Sequence, residues 1–225
     1  PPLIWAFFFG LIIASAVYIG RRVESWKLAQ LSLLTLGVLV AFYITIVQPG
    51  RGSDSLIFVF ISGSLAISAL ILPGISGSFI LLLLGMYTTV VPAVKSVLEN
   101  QDTASLTTVL VFGTGCLAGL AAFSRVLSWT FRNYPGSTLA LLTGFMLGSL
   151  NKIWPWRNVL EYRTDTRGEQ VPLIEKNVMP AYYDGEPMVW QAVLCLLFGF
   201  ALVFLLEWLG GEEDSFDDLT ENSDA

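Results

Sequence analysis

The chain has 225 residues, 54% of them hydrophobic and only 13% charged, with a net charge of −6. Soluble domains carry about 25% charged residues, so a water-soluble globular fold is excluded. Several charge-free apolar runs approach the roughly 20 residues that cross a bilayer as a helix, and their continuity excludes the alternating pattern of a membrane β-barrel. The negative charge is local to the end of the chain, in Glu212, Glu213, Asp214, Asp217, Asp218, Glu221 and Asp224. Histidine is absent, which removes the commonest general base and the commonest metal ligand together. Cys116 and Cys195 each sit inside an apolar run and read as small buried hydrophobes. The expected fold is an all-α polytopic membrane protein, a helical bundle in contact with the bilayer, with no catalytic residue, metal, cofactor or nucleic-acid partner.

In chain order, residues 3–20 predict a first span, followed by a basic loop with Arg21, Arg22 and Lys27. Residues 28–47 predict a second span, and Gln48–Ser55 a turn-rich loop. Two apolar arms, Leu56–Leu72 and Phe79–Val94, then flank Pro73-Gly74-Ile75-Ser76-Gly77-Ser78. A helix breaker in hydrocarbon leaves backbone groups unpaired at several kcal/mol each, and it survives only where protein buries it or where it lines a wet cavity. Residues 56–94 therefore read as a broken, re-entrant helix hairpin, with its tip either inside the bilayer or at the far surface. The small residues Ser62, Gly63, Ser64, Ala66, Ser68 and Ala69 predict close packing of the first arm on another helix.

After a polar loop, residues 106–123 predict a span carrying Gly115-x-x-x-Gly119. Arg125 and an aromatic amphipathic turn, Trp129–Tyr134 with Arg132, follow it. Pro135-Gly136-Ser137-Thr138 echoes the central motif and opens a further apolar run over 136–150. Residues 151–187 read as an extramembrane loop that begins with the interfacial aromatics Trp154 and Trp156. Residues 188–209 form the last span. The expected organisation is thus a membrane domain over 1–209 and a disordered acidic tail over 210–225. Lysine and arginine counts put the first loop in the cytoplasm; parity then puts Arg125, Arg132 and the tail on that side and 151–187 on the other.

The break admits two readings, a packing kink or an anion site. A kink needs one proline, whereas here Pro73, Gly74, Ser76, Gly77 and Ser78 stand together. Glycine lets backbone N–H groups approach a ligand, serine adds hydroxyl donors, and a helix N-terminus favours negative charge. Broken helices with facing termini also build the midplane sites of transporters. The candidate substrate-binding residues are these five and Arg125, whose other reading is a side chain snorkelling to the headgroups. A small-anion transporter or channel would use the same site. An intramembrane lipid-phosphate enzyme would need histidine or clustered carboxylates, and neither lies beside the motif.

Leu72-Pro73-Gly74-Ile75-Ser76-Gly77-Ser78 with Leu84-Gly85-Met86-Tyr87, then Phe123-Ser124-Arg125, then Gly148-Ser149-Leu150-Asn151-Lys152-Ile153-Trp154-Pro155-Trp156, form an ordered set. That set resembles the bacterial polyprenyl-phosphate (undecaprenyl phosphate) translocase family, long described only as a domain of unknown function. The resemblance runs over residues 55–157. It implies a multi-pass protein of the bacterial cytoplasmic (inner) membrane that returns undecaprenyl phosphate, the lipid carrier of cell-wall synthesis, from the outer to the inner leaflet. Its partner would be the polyprenyl phosphate lipid, with the phosphate held at the break. The family also carries a first Pro-Gly-x-Ser-Gly-Gly break, which does not occur in this sequence. The resemblance therefore implies one half of an inverted-repeat transporter. The other half would lie on a missing N-terminal part of the same protein, on a second chain, or on a second copy.

Overall fold

The structure, a computed structural model, describes residues 2–48, 50, 52–53, 55–100, 102–164 and 170–210. Eight α-helices carry it: α1 (Pro2–Arg21), α2 (Leu28–Ile46), α3 (Leu56–Ile71), α4 (Gly77–Leu83), α5 (Tyr87–Asn100), α6 (Thr103–Asn133), α7 (Pro135–Ser149) and α8 (Val189–Gly210). Among the described residues α1, α2, α6 and α8 are long and apolar enough to cross a membrane. The fold is that of an all-α polytopic membrane protein. Most of the acidic tail lies outside the described residues.

Three helix pairs pack through glycine. In α1 and α8, Gly10 and Gly199 face each other: a methyl group on Gly10 would overlap the carbonyl of Leu196, and one on Gly199 that of Phe7, and with Arg21 near Phe204 these helices run in the same direction. Gly144 lies against Leu34 and Gly37, and Gly148 against Val38 and Ala41, so α2 and α7 run in the same direction. Gly115 lies against Phe60 and Gly119 against Ser64 and Ile67, which makes α3 and α6 parallel as well. Ser64 Oγ donates to Gly115 O at 2.8 Å across that pair. Small residues are needed here because lipid tails are as apolar as leucine, so helices associate through backbone approach and hydrogen bonds. The expected packing role of the first arm's small residues is borne out.

α4 doubles back on α3. Gly77 lies against Ala66 and Leu70, and Leu83 O, at the end of α4, accepts from Gly50 N–H in the loop that leads into α3, at 2.7 Å. The hairpin therefore returns to the end from which it came. Its tip lies beside the body of α2: Leu72 shares a cavity with Leu33, and Gly74 shares one with Ala41, Ile44 and Thr45. Of the two depths open to the sequence, the tip takes the one inside the bundle.

The second arm is not the single helix expected over Phe79–Val94. It breaks again, and α4 and α5 meet at 114°. Gly85, at φ +68°, is the cause. Met86 N–H donates to Leu81 O at 2.9 Å and Gly85 N–H to Leu82 O at 3.0 Å, the paired bonds of a left-handed glycine cap. The span expected over 106–123 is also longer, because nothing between Ser124 and Asn133 breaks a helix. α6 runs for 31 residues until Tyr134, whose non-helical backbone precedes Pro135 at the start of α7.

The 151–187 stretch is more ordered than a loop. β1 (Arg157–Thr164) and β2 (Gln170–Asn177) pair antiparallel, with Arg157 opposite Asn177 and Val159 opposite Glu175. Trp154 and Trp156 turn their N–H groups to protein carbonyls. Trp154 Nε1 donates to Val178 O at 2.9 Å, and Trp156 Nε1 donates to Pro187 O at 2.8 Å. Trp156 is buried against Ala6 and Ala192 and so ties the hairpin to α1 and α8. The hairpin sits at the end where α2 finishes, whereas Arg21 lies 5.4 Å from the Phe204 ring near the end of α8. The first loop and the end of the last helix thus share one side and the hairpin occupies the other, as charge parity expects.

Gly113 and Gly115 provide a matched test of the α3–α6 contact. A methyl group at Gly113 meets nothing within 4 Å, whereas one at Gly115 overlaps Phe60 O. Gly113→Ala is expected to stabilise the protein by up to about 1 kcal/mol through helix propensity, and Gly115→Ala to destabilise it by about 1–3 kcal/mol through overpacking. Thermal unfolding in detergent reads both, and equal shifts in the two variants would refute the packing.

Candidate functional site

The break is held as a turn. Ile75 N–H donates to Leu72 O at 3.4 Å, and Gly74 has φ +87°. Proline first and a positive-φ glycine second are the signature of a type II turn. A side chain at Gly74 would also meet Ser149 Oγ, 2.6 Å from its Cβ position. The end of α7 therefore covers the turn, and α7 itself is buried through Thr138, Ala140, Leu142, Thr143, Gly144, Met146, Gly148 and Ser149. Ser76 precedes α4 without a side-chain cap bond, and its hydroxyl pairs with Ser78 Oγ at 2.9 Å.

Two cavities flank the break. One, of about 270 Å³, is lined by Gly74, Ile75, Ser76 and Phe79 from the break and α4, by Trp5 of α1, Ala41, Ile44 and Thr45 of α2, by Ser149 at the end of α7, and by Lys152 and Ile153 beyond it. The other, of about 370 Å³, is lined by Thr45 to Gln48, Phe79, Leu82, Leu83, Asn151, Lys152, Arg157 and Ile174 to Asn177. Thr45, Phe79 and Lys152 belong to both. The first cavity is mostly apolar and lies within the bundle; the second is polar and lies under the β-hairpin.

Lys152 is the cation at the break. Its Nζ lies 4.8 Å from the centre of the Phe79 ring and 3.7 Å from Glu175 Oε2. Arg157 donates from Nη1 to the same Glu175 oxygen at 2.6 Å, and its guanidinium lies 4.2 Å from the centre of the Trp5 ring. The Arg157 side chain is 7% exposed. Asn151 donates from Nδ2 to Thr45 Oγ1 at 2.7 Å and accepts at Oδ1 from Asn177 Nδ2 at 2.8 Å, which locks the end of α7 to α2 and to the hairpin. Burial pushes the Lys152 ammonium below the usual lysine range, with Glu175 opposing the shift and Arg157 adding to it. Burial likewise lowers Arg157, again against Glu175; a guanidinium nevertheless stays charged in a protein. The arrangement can bind an oxyanion by hydroxyls and cations inside an apolar protein, a setting in which each contact counts for more than in water.

Gly74 and Ser76 line the inner cavity as the sequence suggests, with Ser78 bonded to Ser76. Pro73 shapes the turn, and Gly77 packs on α3. Arg125 is not brought to them. It lies on an exposed face of α6 and lines neither cavity. Lys152, Arg157, Asn151 and Glu175 are the residues that sequence reasoning missed. One signal was available: two cations, Lys152 and Arg157, bracket the tryptophans immediately after an apolar run.

A re-entrant helix break inside a multi-pass helical bundle, with serines and a lysine facing one cavity, is the architecture of a membrane transporter. The chain belongs to the undecaprenyl phosphate translocase-like family, whose description matches residues 1–171. It is 46% identical over 211 residues to the polyprenyl-phosphate transporter of Vibrio cholerae serotype O1, covering 92% of this chain and 66% of that protein. It is 35% identical over 161 residues to the polyprenyl-phosphate transporter of Staphylococcus aureus, covering 66% of this chain and 56% of that one. The chain thus spans about two thirds of the first relative's length and little more than half of the second's. No solved structure matches it.

The partly buried lysine sets a pH dependence. Between its lowered pKa and the roughly 10.4 of an unfolded lysine, the unfolded chain binds the extra proton, so this group makes stability rise with pH. Lys152→Met removes that rise. The variant is expected to gain most relative to wild type at neutral pH, and the gap in thermal midpoint is expected to narrow toward about pH 10. A gap that stays constant across the window would refute the desolvated lysine.

Proposed function

We propose that this protein is a transporter of polyprenyl phosphate, and that it recycles undecaprenyl phosphate across the bacterial cytoplasmic membrane for cell-envelope synthesis. In this reading residues 1–209 form the membrane unit. The phosphate head enters at the break and exchanges its water for Ser76, Ser78, backbone N–H groups around Gly74 and Gly77, and the Lys152 ammonium, while Pro73 fixes the turn. The isoprenoid tail stays in lipid. Moving a phosphate through bare hydrocarbon carries the large cost of desolvating an ion, and this lining offsets it.

One observation carries the reading: Gly74, Ser76 and Lys152 line a single cavity of about 270 Å³ inside an apolar bundle. The family and the names of the two relatives support the same substrate class. Lys152 takes the role that the sequence offered to Arg125. The first loop, with Arg21, Arg22 and Lys27, faces the cytoplasm and the β-hairpin faces outward. The relatives' greater length leaves room for a second, inverted half, carried by the same protein or by another chain or copy.

Thermal shift of the purified protein with undecaprenyl phosphate, undecaprenol and inorganic phosphate tests the proposal. A ligand that binds only the folded state stabilises it by about 2.7 kcal/mol at a hundredfold excess over Kd. Undecaprenyl phosphate is expected to stabilise wild type and to lose most of that effect in a Ser76→Ala/Lys152→Met variant. Equal stabilisation by inorganic phosphate would favour a small-anion carrier, and stabilisation by undecaprenol alone would remove the phosphate site.

A further inference from the structure

We infer that Lys152 and Arg157 form a phosphate-monoester site that Glu175 fills as an internal counter-ion, so that an arriving lipid phosphate must exchange with this carboxylate. The inference deepens the reading above and rests on it for the identity of the lipid.

The geometry is that of an occupied anion site. Both cations converge on one oxygen, Glu175 Oε2, at 2.6 Å from Arg157 and 3.7 Å from Lys152. Each cation is also held from its other side by an aromatic face, Arg157 by Trp5 at 4.2 Å and Lys152 by Phe79 at 4.8 Å. Cations fixed in this way keep their positions when the anion between them changes. The hairpin aims the carboxylate at them: the strand register slips immediately after the Val159–Glu175 pair, at Leu160. An extra residue at such a point re-aims neighbouring side chains.

Charge accounting points to the exchange. The outer cavity is lined by three cations, Lys152, Arg157 and Lys176, and by one carboxylate, Glu175. Two positive charges are left over. A phosphate monoester carries about −1.5 to −2 at neutral pH and three strong acceptor oxygens, against one charge on a carboxylate. It would satisfy this surplus better than Glu175 does. A guanidinium fork also binds phosphate oxygens with two parallel bonds, whereas a single donor nitrogen of Arg157 meets Glu175 Oε2 here. Lys152 faces both cavities, so an anion that replaces Glu175 lies one side chain from Ser76. A carboxylate in this place also keeps the two cations paired when no lipid is bound, which a polar cavity in a membrane protein requires.

Glu175→Gln tests the inference, because it keeps the shape of the side chain and an acceptor for Arg157 while removing the competing charge. With the full chain in detergent, Glu175→Gln is expected to bind undecaprenyl phosphate at least about tenfold more tightly than wild type, a gain of about 1.4 kcal/mol. It is also expected to gain measurable affinity for inorganic phosphate, and Lys152→Met in the same chain should cancel both gains. Glu175→Ala provides a second removal of the charge. Unchanged or weaker affinity in both variants would overturn the inference, and if wild type still bound undecaprenyl phosphate the transport reading would survive. A gain for inorganic phosphate with no binding of undecaprenyl phosphate would uphold the anion site and sink the lipid reading. On the wild-type chain, carbodiimide labelling of Glu175 followed by mass spectrometry is expected to rise when undecaprenyl phosphate is added. Labelling that stays flat in the presence of bound lipid would also overturn it.

Discussion

Close approach of helix backbones is the constraint on which the rest of this structure depends. In a bilayer, burying a leucine against another leucine gains little over leaving it in lipid, so helices associate where glycine lets carbonyls and Cα atoms touch. Gly144 and Gly148 bring α7 onto α2 in this way. That contact fixes the height of Ser149, and Ser149 in turn closes over Gly74. A residue larger than glycine at either place would separate the end of α7 from the turn. The break would then open into lipid, where its backbone groups have no partners.

The same packing explains why cations sit beside the break. The chain that leaves α7 emerges next to the end of α2, where Asn151 bonds Thr45. Lys152 therefore holds its ammonium over the Phe79 ring, at the boundary of two cavities. The two tryptophans that follow spend their N–H groups on Val178 and Pro187 and lock the hairpin down. Arg157, the first residue of β1, is thereby buried against Trp5. A buried arginine without a counter-charge would be strongly unfavourable, and Glu175 supplies one. The polar cavity is thus assembled by two elements: a bundle that fixes Lys152 and a hairpin that brings Arg157 with its partner.

Much of the fold was legible because hydrocarbon enforces simple rules. Charge-free runs marked α1, α2, α3 and α8, and the density of small residues in the first arm announced its packing. Pro73 and Gly74 announced the break. The second break was harder to see, since Gly85 stands alone in a leucine-rich run and only its left-handed cap reveals it. The end of α6 was misjudged because Arg125 resembled a terminus, although a charged residue on an exposed helix face does not end a helix. The polar stretch after α7 carried no strand signal strong enough to overrule a loop. Its order comes from indole and amide hydrogen bonds between residues 24 to 31 positions apart, which no local pattern records.

The site was half legible for the same reason. The serines and glycines of the break are consecutive, so their chemistry could be read from spacing alone. Their cation is not local: Lys152 lies in another segment and reaches the break only because α7 runs parallel to α2. Arg125 was the natural candidate by sequence, since it follows a span and belongs to the matching motifs, yet the direction of α6 carries it to an exposed face. Parallel neighbours far apart in sequence bring together residues that hydropathy cannot associate. In such a bundle the backbone of the break and the charge beside it are encoded separately, and the glycine contacts between helices decide which charge arrives.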